Sequence, residues 1–197
     1  MWTFKMFGTD VYHLVAAFVV YSILGWFVES VYMSFCNRKL TNRGFAKSPF
    51  CPIYGFGAVF GYLALCPLRN NYVLLYLCGA VSATLFEFLV GKLMLRLFGE
   101  LWWDYNDKPL NYKGIICLES TIAWGFYAIG IICFLNSKVY EAIDLVNPDV
   151  GRKIISVILF IVLIDYIIQL LKAFKVDLDR PKQAIRKRYE NFKARWY

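Results

Sequence analysis

Apolar runs separated by short polar stretches organise the chain from Val11 to Leu171. Five runs have the character of membrane-spanning helices, which need about 20 mostly apolar residues. They cover about 11–36, 52–68, 72–98, 115–135 and 153–171, the second being short. The pattern predicts an all-α, polytopic helical membrane protein with five transmembrane helices. Residues 1–176 form its transmembrane domain. Residues 177–197 form a soluble tail, in which Ile185, Tyr189, Phe192 and Trp196 recur at helical spacing among Lys and Arg. Such a basic amphipathic helix suits an anionic membrane surface or a partner.

Two hairpins carry a similar order of residues. The first has Glu29, then Asn42-Arg43-Gly44-Phe45, then Tyr54-Gly55-Phe56-Gly57-Ala58. The second has Glu87, then Asn111-Tyr112-Lys113-Gly114-Ile115, then Trp124-Gly125-Phe126-Tyr127-Ala128. Both run in the same sense, so the expected repeat is a pair of parallel helical hairpins followed by one further helix.

Composition agrees with a membrane location. The 197 residues are 59% hydrophobic and 18% charged, whereas a soluble domain is nearer half apolar and about a quarter charged. The net charge of +8 does not indicate nucleic acid, because Lys and Arg gather at the ends of the apolar runs. Sixteen of the 22 lie on the side that also holds the C-terminus. The positive-inside bias then predicts an N-terminus outside and a C-terminus in the cytoplasm. The six cysteines form no CxxC pair, so neither a metal site nor a bound cofactor is expected.

Candidate chemistry rests on acids inside apolar runs, which are costly and mark functional sites by default. Glu29, Glu87, Glu119 and Asp165 all fall in one half of the membrane, giving a polar vestibule open to the cytosol beneath an apolar roof. Trp26 shares a helical face with Glu29. Asn42, Arg43, Asn111 and Gly114 would shape the mouth, with Tyr54 and Trp26 further candidate binding residues. Three uses stay open: structural ion pairs with Arg43, Lys92 or Lys113; binding of a cationic substrate, metal or proton; and acid–base catalysis. The loop around Arg43 and Lys47 could hold a phosphate, but no GxxxxGK[ST] loop is present. Trp102-Trp103 is expected at the membrane interface. His13, at the far end of the first run, is expected there too.

Tyr21-Ser22-Ile23-Leu24-Gly25-Trp26 with Glu29, then Asn42-Arg43-Gly44-Phe45, then Cys51-Pro52-Ile53-Tyr54-Gly55-Phe56-Gly57-Ala58, resembles the CmpB-like family of ABC-transporter type IV membrane proteins. The second half agrees through Glu87, Trp103-Asp104-Tyr105, Asn111, Gly114, Glu119-Ser120 and Trp124-Gly125. Lys47-Ser48-Pro49 departs from the Gly-Pro pair usual in that family and alters the loop turn. The resemblance implies a transporter or permease component that needs a separate ATPase or membrane subunit for ATP drive. Two other readings compete with it. One is a membrane enzyme acting on a lipid or phosphorylated headgroup at the inner leaflet. The other is an accessory subunit of a membrane complex. Membrane lipid is the expected environment, and self-association is compatible with all three.

Overall fold

A computed structural model describes residues 2, 5–6 and 9–177. The amphipathic segment expected over 177–197 lies, beyond Asp177, outside the described residues.

Among the described residues six α-helices follow one another: α1 (Val11–Asn37), α2 (Pro52–Leu65), α3 (Tyr72–Phe98), α4 (Leu118–Ile129), α5 (Asn136–Asp144) and α6 (Pro148–Asp177). Their ends are set by local chemistry. Asp10 caps α1 by accepting from the His13 N–H, and Asn71 caps α3 by accepting from the Leu74 N–H. Pro52 begins α2, where its missing N–H costs nothing. Gly99, at φ +73°, closes α3. Ser120 and Cys117 close a reciprocal capping box on α4. Two two-residue ladders complete the set: β1 (Lys5–Met6) with β2 (Thr9–Asp10), and β3 (Asn111–Tyr112) with β4 (Ile116–Cys117).

Among the described residues four helical stretches are long and apolar enough to cross a membrane: Val11–Asn37, Tyr72–Phe98, Leu118–Asp144 and Pro148–Ala173. The apolar helix Pro52–Leu68, closed by a 3-10 turn, is shorter. The stretch Leu118–Asp144 differs from the fourth run expected from the sequence, which ends near Leu135. Hydropathy falls at Asn136-Ser137-Lys138, but the helix continues through a π-helical segment, Gly130–Leu135, into α5. Asn136 is buried there and accepts from the Tyr21 hydroxyl at 3.3 Å, so a polar residue is accommodated without ending the helix.

The most extensive helix pairings are α1 with α2 and α3 with α4. Tyr12, Ala16, Ala17, Val19 and Tyr21 of α1 form a core with Ala58, Val139, Ile143 and Ile155. Elsewhere the helices turn large apolar side chains outward, among them Phe27, Val81, Leu89, Phe160 and Ile164. Water would penalise such surfaces heavily. Hydrocarbon does not, and the chain is an all-α polytopic membrane protein.

Candidate functional site

The segments 38–51 and 99–117 leave the bundle at the same end, after α1 and α3, and re-enter at α2 and α4. Each carries donors to a carboxylate on the helix it has just left.

Glu29 sits two turns before the end of α1. Its Oε1 accepts from Arg43 Nε at 3.0 Å, and its Oε2 accepts from the Tyr54 hydroxyl at 2.9 Å. The side chains of Arg43 and Glu29 are 23% and 26% exposed. Arg43 is anchored through its backbone N–H, which donates to Ser30 Oγ. Trp26 Nε1 donates to Asn42 Oδ1 at 2.6 Å and holds the loop against α1. Tyr54 reaches Glu29 by crossing α1 at Gly25, where a Cβ would overlap the Tyr54 ring and its Cβ. Gly55 in turn lies against Ser22 and Phe18. Burial, then the charge of Glu29, pushes the Cys51 thiol up to about 12, so it stays protonated and faces the Arg43 carbonyl at 3.8 Å.

Glu87, on α3, is only 5% exposed. Its Oε1 accepts from the Tyr105 hydroxyl at 2.9 Å. Its Oε2 accepts from Trp124 Nε1 at 3.0 Å and from Ser120 Oγ at 3.3 Å. Indole can donate but not accept, so Oε2 is held as an acceptor. Burial, then the neighbouring Glu87 charge, raises the Tyr105 hydroxyl far above its ordinary value. Tyr105 therefore remains a donor at any physiological pH. Gly91, one turn beyond Glu87, has Ile115 and Trp103 packed where a Cβ would project. That close approach folds the second loop onto α3.

The two clusters are neighbours. Phe86 of α3, next to Glu87, lies within van der Waals reach of a Cβ built at Gly57 of α2. Phe45 of the first loop stacks on Trp102 of the second, with ring centroids 4.7 Å apart and planes 12° apart.

The remaining expected site residues have other positions. Glu119 is not buried: in the first turn of α4 its side chain is 63% exposed, paired with Lys108 at 2.9 Å. Asp165 accepts from the Ser48 N–H at 2.6 Å and from Gln169 Nε2, tying the first loop to α6. Asn111 organises its own loop. It donates to the Asn106 and Lys108 carbonyls and accepts from the Gly114 N–H. Of the three cations expected near the acids, Arg43 makes an ion pair, whereas Lys92 and Lys113 lie over the rings of Phe88 and Tyr112. The two tryptophans expected at the interface each make a protein contact. Trp102 stacks on Phe45, and Trp103 Nε1 donates to the Ile115 carbonyl at 2.8 Å.

Sequence reasoning did not assign Tyr105, Ser120 and Trp124 to Glu87. A signal was present: Trp124 precedes Gly125 as Tyr54 precedes Gly55. Among the described residues no group of three or more His, Cys, Asp or Glu side chains could hold a metal ion. The arrangement can hold two carboxylates in fixed positions inside apolar helices, one paired with a cation and one hydrogen-bonded by neutral donors.

No curated protein and no solved structure matches the chain. The family model described as "Putative ABC-transporter type IV" covers residues 16–170, which include both loops and both glutamates, and the chain belongs to this CmpB family.

Proposed function

We propose that the protein is the membrane-spanning component of a transport system, a permease subunit working with a separate ATPase or second membrane subunit. Its site is the neighbouring pair Glu29 and Glu87, with Arg43, Asn42, Trp26 and Tyr54 around the first and the 99–117 loop over the second. One observation carries the reading: carboxylates stand at matching places in two apolar hairpins, each supplied with donors by the loop and the helix that follow it. Holding acids in apolar helices is expensive, and doing so twice in one small protein favours a use beyond fixing helix positions. Family membership supports transport as that use.

In this reading the hairpins are a parallel repeat. Phe18 and Tyr76 stand 58 positions apart, as do Glu29 and Glu87. Gly55 packs on Phe18, and Gly125 packs on Tyr76. Helix α2 with its 3-10 turn is the fifth crossing, about 25 Å long at 1.5 Å per residue, enough for a thin or locally thinned bilayer. The bias of Lys and Arg puts the glutamate end at the cytoplasm and the N-terminus outside.

Native mass spectrometry of the protein extracted gently from its own membrane tests the proposal. A co-purifying ATPase or membrane subunit in fixed ratio is the expected result. In vesicles containing that complex, Glu29→Gln and Glu87→Gln should abolish substrate flux while leaving the complex assembled. A protein free of any partner that turns over a lipid or phosphorylated compound in detergent would overturn it.

A further inference from the structure

The end of the bundle away from the glutamates is not the plain apolar roof expected from the sequence. His13, the one histidine in the chain, lies between two carboxylates from distant parts of it. Its Nδ1 is 2.8 Å from Asp10 Oδ1, and its Nε2 is 2.8 Å from Asp144 Oδ1. Tyr140 stacks on the imidazole with centroids 5.6 Å apart and planes 10° apart, while Tyr12 meets it edge-on at 5.2 Å. The ring is thus fixed in plane, with both nitrogens aimed at oxygen acceptors.

We propose that Asp10, His13 and Asp144 form a proton-dependent clasp fastening the start of α1 to the end of α5. A neutral imidazole donates through one nitrogen and presents a lone pair on the other. Facing two carboxylates, it would satisfy one and repel the second. The imidazolium donates to both. Asp10 has a second tie here, since the same Oδ1 accepts the His13 backbone N–H at 2.9 Å. Burial works against the Asp10 charge but is outweighed by these hydrogen bonds, and its carboxyl is held below the ordinary carboxylate value. It therefore remains ionised where the imidazole is charged.

Two further pairs of charges at this end are matched within their own helices. Lys138 pairs with Glu141 at 2.8 Å on α5, and Arg152 pairs with Asp149 at 2.9 Å in the first turns of α6. Behind the clasp, Tyr12 and Ala16 pack with Val139 and Ile143, so opening it loosens the contact between α1 and α5. The sign follows from the charged form. The clasp is complete when His13 is protonated and both aspartates are ionised, is lost as rising pH removes the imidazole proton, and is lost again in strong acid as the aspartates protonate. Histidine is the side chain suited to switching between about pH 5 and 8.

The test is a nitrogen NMR titration of the full chain, labelled with ¹⁵N-histidine, in lipid nanodiscs, with the unfolding temperature followed alongside. A single histidine gives one assignable ring. The wild type should show both ring nitrogens protonated at about pH 6 and a falling unfolding temperature as the ring titrates. In Asp144→Asn the doubly protonated fraction at about pH 7 should fall by half or more. In His13→Gln the pH dependence of unfolding across that range should disappear. A wild-type ring with one protonated nitrogen at about pH 6, an unchanged fraction in Asp144→Asn, or undiminished pH dependence in His13→Gln would each overturn the clasp.

Discussion

Glu29 and Glu87 occupy comparable places in two hairpins, yet they are held by different chemistry. Glu29 has a cation, Arg43, and one hydroxyl. Glu87 has no ion pair among the described residues and three neutral donors: Tyr105, Ser120 and Trp124. The first is a quarter exposed and the second nearly sealed. The difference shows two ways to keep a carboxylate in an apolar bundle. A buried acid can be charge-compensated, which makes it depend on a single partner, or solvated by fixed dipoles, which spreads the dependence over several. Glu29 is therefore the acid whose charge can be exchanged when Arg43 moves. Glu87 is the one whose geometry is fixed.

The largest effect that would break this comparison is at Glu87. Glu87→Ala leaves the Tyr105 phenol and the Trp124 indole without an acceptor in a buried site, while Ser120 Oγ keeps the Cys117 carbonyl. It should destabilise the protein by about 4 kcal/mol, read from unfolding in detergent. A loss no greater than that of an ordinary surface substitution would contradict the three-donor account. Next come the glycines that admit the aromatic donors. Gly25→Ala forces Tyr54 off Glu29, and Gly125→Ala collides with the Tyr76 ring. Each should cost about 2–3 kcal/mol. Gly61, with open space around it, is the control, and Gly61→Ala should stabilise by about 0.5–1 kcal/mol. Equal costs at all three sites would remove the argument from close packing. The smallest effect is at the loop. The Lys108–Glu119 pair is exposed, so Glu119→Gln should leave the unfolding temperature unchanged at physiological salt. A large loss there would return Glu119 to the set of critical acids.

The helical content and the third apolar run were legible in the sequence, because an uninterrupted stretch such as Tyr72–Phe98 can be little else. The importance of Glu29 and Glu87 was legible for the same reason: an acid in such a stretch stands out. Their partners were harder to find. Arg43 and Tyr54 follow Glu29 by 14 and 25 residues, and only the fold shows that the loop doubles back. Glu119 misled because hydropathy averages over a window. It counts a first-turn residue as part of the run, although helix N-termini favour exposed acids. The α4 to α5 continuation was hidden for the converse reason. Buried Asn136 lowers the hydropathy, but its hydrogen bond to Tyr21 lets the helix pass through.

The most direct test of the account compares the unfolding free energies of Arg43→Gln and the double variant Glu29→Gln, Arg43→Gln. The single change strands a carboxylate that the wild type neutralises, and should cost about 2 kcal/mol. The double change restores a neutral, hydrogen-bonding pair and should recover most of that loss. A double variant as unstable as the single, or a single variant as stable as wild type, would show that Glu29 does not depend on Arg43 for its charge, and the contrast with Glu87 would fail.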